Sequence, residues 1–167
     1  FFPDRLAALQ QARRVLVPGG RLVVNVPGPT PGLFAVMEGA LARHLTPEAA
    51  AFVGVVFSLH DAGEIRELIG EAGFNDVKVR PITKTLRLPA PADFLWQYVH
   101  STPLAGAAAG LDSDGRSALE RDVIAGWRPF TEDGGLTLEV EVATATGRKG
   151  NLMVEAGDAD SSRRPLL

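Results

Sequence analysis

The fold of this chain is decided by the stretch Arg14-Val15-Leu16-Val17-Pro18-Gly19-Gly20-Arg21-Leu22-Val23-Val24-Asn25-Val26. Apolar residues between Leu6 and Leu16 recur at the spacing of one helix face, and the Pro-Gly-Gly turn ends that helix. The β-branched run that follows is typical of a strand buried on both faces of a parallel sheet. A helix, a tight glycine turn and a buried strand together predict an α/β unit.

The same alternation of helix and strand continues along the chain. Helices are predicted from Gly32 to His44, from Thr46 onward, and from Asp61 to Gly73, where Asp61 precedes Glu64 at the spacing of a capping box. A strand is predicted from Val77 to Leu88, interrupted at Pro81, followed by a helical region over residues 89–130. Residues 136–143 alternate apolar and polar side chains, which predicts a final strand.

Composition restricts the possible functions. The 167 residues suffice for one domain, and 46% apolar with 22% charged residues is typical of a soluble globular protein. A net charge of −3 argues against nucleic acid as the main partner. The absence of cysteine excludes disulfides and thiolate metal sites and fits a reducing, cytoplasmic compartment. The longest apolar run, residues 49–57, is far shorter than the roughly 20 residues of a membrane span.

Four segments resemble class I S-adenosylmethionine-dependent methyltransferases, most closely the branch with the ubiquinone/menaquinone methyltransferases. Residues 14–22 resemble the family segment "RVLxPGGxL", and Phe1-Phe2-Pro3-Asp4-Arg5 resembles the "FFPDR" that follows strand four. Ala72-Gly73-Phe74 resembles the "AGF" before strand six, and the strand at residues 136–145 occupies the place of the family's antiparallel seventh strand.

This resemblance covers residues 1–149 and implies the C-terminal half of a Rossmann-like methyltransferase domain. The implied half contains two parallel strands, an antiparallel last strand, helices on the sheet faces and a helical lid insertion at residues 89–130. Residues 150–167 are predicted to form a polar tail. The opening Phe1-Phe2-Pro3 lacks an initiator methionine, so we expect a segment from inside a longer protein.

The resemblance also implies S-adenosylmethionine as cofactor and a small molecule as methyl acceptor. The family's main cofactor motifs lie upstream of the position of Phe1, and Gly19-Gly20 precedes a strand instead of following one. Phe1 and Phe2 are therefore the cofactor-binding candidates that remain, with core packing as their alternative role. The chain is expected to supply the acceptor-side half of the domain and to be inactive alone.

Few residues qualify for the acceptor site. Asn25 lies at a predicted strand end, where ligands of open α/β sheets bind, although asparagine also simply terminates strands. Trp96 and His100 are four apart on a predicted helix and share a face, whereas Tyr98 points elsewhere; helical aromatics are also common in cores. His60 and His100 are candidates for a general base, with plain solvent exposure as the alternative. Three dispersed histidines predict no metal site.

The strand Leu22 to Val26 predicts self-association or a partner. Without strand four beside it, this apolar strand is an unprotected edge, and such edges pair with other chains. We expect a dimer, a strand swap or a separate polypeptide that carries the N-terminal half. Two other interpretations fit the residues: a non-catalytic assembly module, and a protein that binds small apolar ligands without chemistry.

Overall fold

The computed structural model describes residues 2–151, so Phe1 and most of the predicted polar tail lie outside the described residues. The elements of this part of the chain are, in order, α1 (Arg5–Val15), β1 (Arg21–Pro27), α2 (Gly32–His44), α3 (Pro47–Val56), α4 (Ala62–Glu71), β2 (Phe74–Leu88), α5 (Pro91–His100), α6 (Leu104–Ala108), α7 (Ser113–Trp127), a 3₁₀ turn (Arg128–Phe130), β3 (Thr131–Glu132) and β4 (Gly135–Lys149). The predicted helices and strands are present, with shifted ends. The predicted interruption at Pro81 is wrong: β2 continues through Pro81, which is paired opposite Ala143, and its irregularity lies at Asn75–Lys78.

Aspartate side chains fix the starts of three helices. Asp4, Asp61 and Asp112 each accept a hydrogen bond of 2.8 Å from the backbone N–H three residues further along. Such a cap satisfies an N–H that has no partner within the helix and contributes about 1 kcal/mol. The capping prediction for Asp61 is confirmed.

The sheet has the order β1-β4-β2, and β4 runs antiparallel to both neighbours. Ala145 of β4 pairs with Val24 on one side and with Val79 on the other. The strands β1 and β2 therefore run in the same direction but do not touch. The family resemblance implied their common direction and the antiparallel last strand; that the last strand lies between them follows from tertiary pairing.

Two hydrophobic cores lie on opposite faces of the sheet. One contains Ile65 and Ile69 of α4 against Ala143 and Ala145, with β1 and α1 packed at its margin. The other holds helices α2, α3, α5, α6 and α7 against Leu136 and Leu138 at the start of β4. Because β4 is 15 residues long, one strand supports a core at each end. Tryptophan 127 is fully buried in the larger core.

The prediction that β1 is buried on both faces is wrong. Leu22, Val24 and Val26 face the smaller core, but Val23 is 48% exposed and Asn25 is exposed on the opposite face. No helix of the described chain covers that face beside β1. The β-branched run predicted a strand correctly, yet burial of its second face requires a layer that the described residues do not supply. None of the described helices has the length and apolar character to span a membrane.

Candidate functional site

An open cleft of about 650 Å³ lies beyond the carboxyl end of β1. Pro27 ends the strand, and the N–H of Gly28 then donates a 2.7 Å hydrogen bond to the carbonyl of Glu141. The chain leaves the sheet through Pro29 and Pro31 and begins α2. Ligands of open α/β sheets favour this end of the strands, so the cleft is the candidate functional site.

The walls of the cleft come from three segments, residues 31–33, 129–132 and 137–139. The Phe130 ring lies close to Gly32, since a side chain added at Gly32 would approach the Phe130 ring at 3.1 Å. Because Gly32 has no side chain, the Phe130 ring can pack against the first turn of α2.

The rim of the cleft is acidic. Glu132 forms an ion pair with Arg87 at 2.7 Å and accepts a hydrogen bond from Thr137 Oγ1 at 3.3 Å. Glu139 is exposed, and the described residues give its side chain no hydrogen bond or ion pair. Because Arg87 pairs with Glu132, the Glu139 carboxylate and the apolar ring of Phe130 are the features that favour an uncharged or cationic ligand over an anionic one.

A second, smaller cleft of about 530 Å³ lies on the exposed face of the sheet and differs in charge. It is lined by Arg21, Lys78, Arg80 and Arg148, with Asp76 as the acidic residue. These side chains stand on neighbouring strands beside Thr144 and Thr146. The exposed sheet face is therefore basic, in contrast to the acidic rim at the end of β1.

Asn25 lies two residues before the end of β1, on the exposed sheet face. Its Oδ1 accepts a 2.7 Å hydrogen bond from Thr144 Oγ1 on β4. This cross-strand contact orients the amide across the sheet surface. Asn25 does not line the cleft at the end of β1; its role as a ligand-binding residue stays a prediction.

Trp96 and His100 share a helix face as predicted. Their rings stack at 5.7 Å, Trp96 Nε1 donates to Glu120 Oε2 at 2.6 Å, and the Arg116 guanidinium lies 4.0 Å from the Trp96 ring. This cluster joins α5 to α7 and does not line the cleft. Its contacts stabilise the packing of the two helices; a role in acceptor binding stays a prediction.

The other predicted residues lie apart from one another. His60 follows α3, and its Nδ1 is 2.8 Å from the carbonyl oxygen of Phe57. Because a carbonyl only accepts, Nδ1 carries the proton in this arrangement. Phe2 is 70% exposed just before α1, and Phe1 lies outside the described residues. Neither His60 nor Phe2 lines the cleft.

Sequence reasoning missed an aromatic cluster in the helical layer. The ring of Phe34 lies 5.2 Å from Phe57, 6.3 Å from Phe94 and 5.3 Å from Tyr98. Burial raises the pKa of the Tyr98 hydroxyl, which therefore stays protonated at neutral pH. The spacing of Phe94 and Tyr98 on one helix was a visible signal, but their contact with α2 and α3 depends on tertiary packing.

The described residues contain no group of three histidine, cysteine, aspartate or glutamate side chains placed to hold a metal ion.

The glycine pair before β1 has a structural role. Gly19 has φ +76°, and its N–H donates a 3.0 Å hydrogen bond to the carbonyl of Lys149. This pair serves to join β1 to the end of β4.

Comparison with known proteins gives one relationship in sequence. No family model matches the chain. It is 28% identical over 160 residues to nocamycin O-methyltransferase of Saccharothrix syringae, a match that covers 88% of this chain and 56% of that protein. The chain thus spans about half the length of the curated relative it matches.

Solved structures give weaker likenesses. Phosphoethanolamine N-methyltransferase 2 of Haemonchus contortus, solved with S-adenosyl-L-methionine, is 14% identical with a TM-score of 0.40, over 89% of this chain and 30% of that one. The complex of that enzyme with phosphomonomethylethanolamine and S-adenosylhomocysteine is 15% identical to this chain with a TM-score of 0.39, over the same shares of the two chains. The sequence likeness carries the comparison: this chain is similar to an O-methyltransferase over most of its own length.

Proposed function

We propose that this chain forms the acceptor-side half of an S-adenosylmethionine-dependent methyltransferase domain that methylates a small molecule. The observation that carries the proposal is the 160-residue sequence match to an O-methyltransferase. The sheet supports it, because an antiparallel last strand is what the resemblance of residues 136–145 implies. The narrower relation to the ubiquinone/menaquinone branch rests on the segment at residues 14–22.

The described residues do not by themselves fit the cofactor. Their glycine pair at residues 19–20 lies before a strand, and its backbone groups bond to Lys149. Phe2 is exposed and isolated from the cleft. S-adenosylmethionine would supply the methyl group, and we propose that its binding residues belong to a second segment, which corresponds to the part of the relative outside the match.

The open edge of β1 is where we propose that this second segment, or a second copy, pairs. Backbone hydrogen bonds join Gly20 to Lys149 and Gly28 to Glu141, at the two ends of the β1–β4 ladder. In the same register the pairs Leu22–Gly147 and Val24–Ala145 lie between them, so the even-numbered residues of β1 bond to β4. In an antiparallel ladder the intervening residues point the other way, so Val23 and Asn25 present their N–H and C=O groups outward. An open, β-branched edge of this kind favours strand addition.

A proline scan along β1 tests the edge. Val23→Pro removes an outward N–H and keeps the β4 ladder, since proline is tolerated where the N–H faces solvent. Val24→Pro is the matched control, because it removes a ladder hydrogen bond and destabilises the fold. By size-exclusion chromatography with light scattering, we expect the native chain to self-associate at micromolar concentration and Val23→Pro to be a folded monomer. A native chain that is strictly monomeric, alone or with the complementary segment, contradicts edge pairing.

Calorimetry tests whether the cofactor-binding residues lie outside this chain. We expect no saturable binding of S-adenosylhomocysteine by this chain alone, and binding once it is joined to a cofactor-binding segment. Micromolar binding by the chain alone would show a cofactor site within these residues and overturn the half-domain proposal. Apolar ligands that raise the Tm, with no response to S-adenosylhomocysteine in any combination, would instead support a binding protein without methyl transfer.

A further inference from the structure

The backbone of β4 is unpaired in the middle of its β1 side. Gly28 N and Gly19 N bond to the carbonyls of Glu141 and Lys149, whereas Leu136 N bonds to Pro89 on the β2 side. Because the two directions alternate along an antiparallel strand, the odd-numbered residues of β4 direct N–H and C=O toward β1.

The pairing on this side has a gap. It stops at the pair Pro27–Val142, where β1 ends, and resumes at Leu136, which pairs with Thr131 of β3. Within the described residues no strand pairs with β4 between these points, and no backbone partner exists for Glu139 on that side. The N–H and C=O of Glu139 therefore open into the cleft at the end of β1, and we name this opening the Glu139 slot.

The two flanking segments leave the slot open. In the register of β1 the residue opposite Glu139 would be Thr30, but the pairing ends at Pro27–Val142 and the chain leaves the sheet to begin α2 at Gly32. On the far side, β3 is only two residues long, because the 3₁₀ turn Arg128–Phe130 directly precedes it. Unpaired backbone groups at a strand edge need water or a ligand to satisfy them.

We propose that the Glu139 slot binds the methyl acceptor, and that this acceptor is an uncharged molecule with a lactam or other cis amide group beside an apolar ring. The role of the ligand as methyl acceptor rests on the proposed function, whereas its chemistry is argued from the geometry. The N–H and C=O of one extended residue point to the same side of the strand, where an antiparallel partner residue would bond to both, and a cis amide likewise has its C=O and N–H on one side. The Phe130 ring provides an apolar wall beside them.

Charge and length restrict the ligand. The Glu139 carboxylate lines the cleft without an ion-pair partner among the described residues and disfavours carboxylates and phosphates, whereas Glu132 is paired with Arg87. The distance from Leu136 to Val142 is roughly 20 Å at about 3.3 Å per residue. A peptide strand running through the slot would collide with β1 at one end and with β3 at the other, so the slot fits a small molecule.

Backbone NMR of the ¹⁵N-labelled chain tests the slot, with 4-phenyl-2-pyrrolidinone as probe. We expect saturable shifts at the Glu139 and Glu141 amides and slower hydrogen exchange at Glu139. The matched ketone 3-phenylcyclopentanone lacks the N–H and is expected to bind at least 10-fold more weakly, and phenylacetate not to bind. Equal affinity for all three probes, shifts confined to another surface, or no lactam binding would overturn the proposal.

Phenylalanine variants provide a second readout. Phe130→Ala is expected to weaken lactam binding at least 10-fold, whereas Phe2→Ala, which removes an exposed ring elsewhere, is expected to leave it unchanged. If Phe130→Ala fails to fold, the ligand series on the native chain still decides. The titrations contain no cofactor, so they test ligand binding separately from methyl transfer. If the lactam binds at Glu139 but the joined halves transfer no methyl group, the slot stands as a binding site and the proposed function is overturned.

Discussion

Replacing Trp127 by phenylalanine tests how the helical layer is held to the rest of the fold. The Trp127 side chain is 0% exposed, its Nε1 donates a 2.7 Å hydrogen bond to the carbonyl of Leu33, and its ring lies 5.7 Å from Phe94. This contact joins the end of α7 to the first turn of α2, directly beside the cleft.

The expected loss of stability has two parts. Removing the indole N–H leaves the Leu33 carbonyl one partner short in a buried site, at a cost of about 1 kcal/mol. The smaller ring leaves a void and loses apolar burial, at a cost of about 2 kcal/mol. A total of about 3 kcal/mol lowers the Tm of a chain of this size by roughly 6 to 12 °C.

Trp96→Phe is the matched control. Trp96 is only half-buried and donates to Glu120, a side chain that water can satisfy, so its replacement is expected to cost less than about 1 kcal/mol. Each variant keeps one of the two tryptophans, so thermal and urea unfolding can be followed by fluorescence and circular dichroism together. A Trp96→Phe loss equal to or larger than that of Trp127→Phe would refute the reasoning.

Two further predictions concern the contacts between α2 and α7. Gly126→Ala places a Cβ against Cγ1 of Val36, and the overpacking cost of about 1 to 3 kcal/mol outweighs the gain in helix propensity of about 1 kcal/mol. The Tm should therefore fall in Gly126→Ala and recover in the double variant Gly126→Ala/Val36→Ala. A higher Tm for the single variant would contradict the close approach of the two helices. The hydrogen bond to His44, 2.8 Å long, is the main cause that lowers the pKa of Asp122 below its ordinary 3.8. A carboxyl whose pKa is lower in the folded than in the unfolded state contributes stability above the unfolded pKa, and this stability is lost as pH falls through the folded pKa. Asp122→Asn should therefore lower the Tm more at pH 6 than at pH 2.5; an equal difference at both pH values would exclude this linkage.

Local patterns were sufficient for the elements themselves. The Asp61 cap, the strand at Leu22–Val26 and the alternation of β4 all arise from interactions within a few residues, and each is present in the structure. The shared face of Trp96 and His100 follows from helical spacing alone.

The candidate site required tertiary information. The Pro27-Gly28-Pro29 stretch after β1 is visible in the sequence, but nothing local shows that β1 ends beside the unpaired Glu139. The predicted residues Asn25, Trp96 and His60 lie on separate surfaces, because residue type indicates chemical capacity while position depends on which elements pack together. The aromatic cluster around Phe34 was missed for the same reason.

The sequence by itself determined an α/β chain, because helix periodicity, strand alternation and turn residues act over short range. The antiparallel last strand and the likeness to methyltransferases came from the resemblance of a few short segments to that family. Only the tertiary structure decided that β4 lies between β1 and β2, that β1 keeps one face and one edge exposed, and that a slot opens at Glu139. Strand order and register depend on contacts between distant residues, such as Val24 with Ala145, and these form only when the whole sheet assembles.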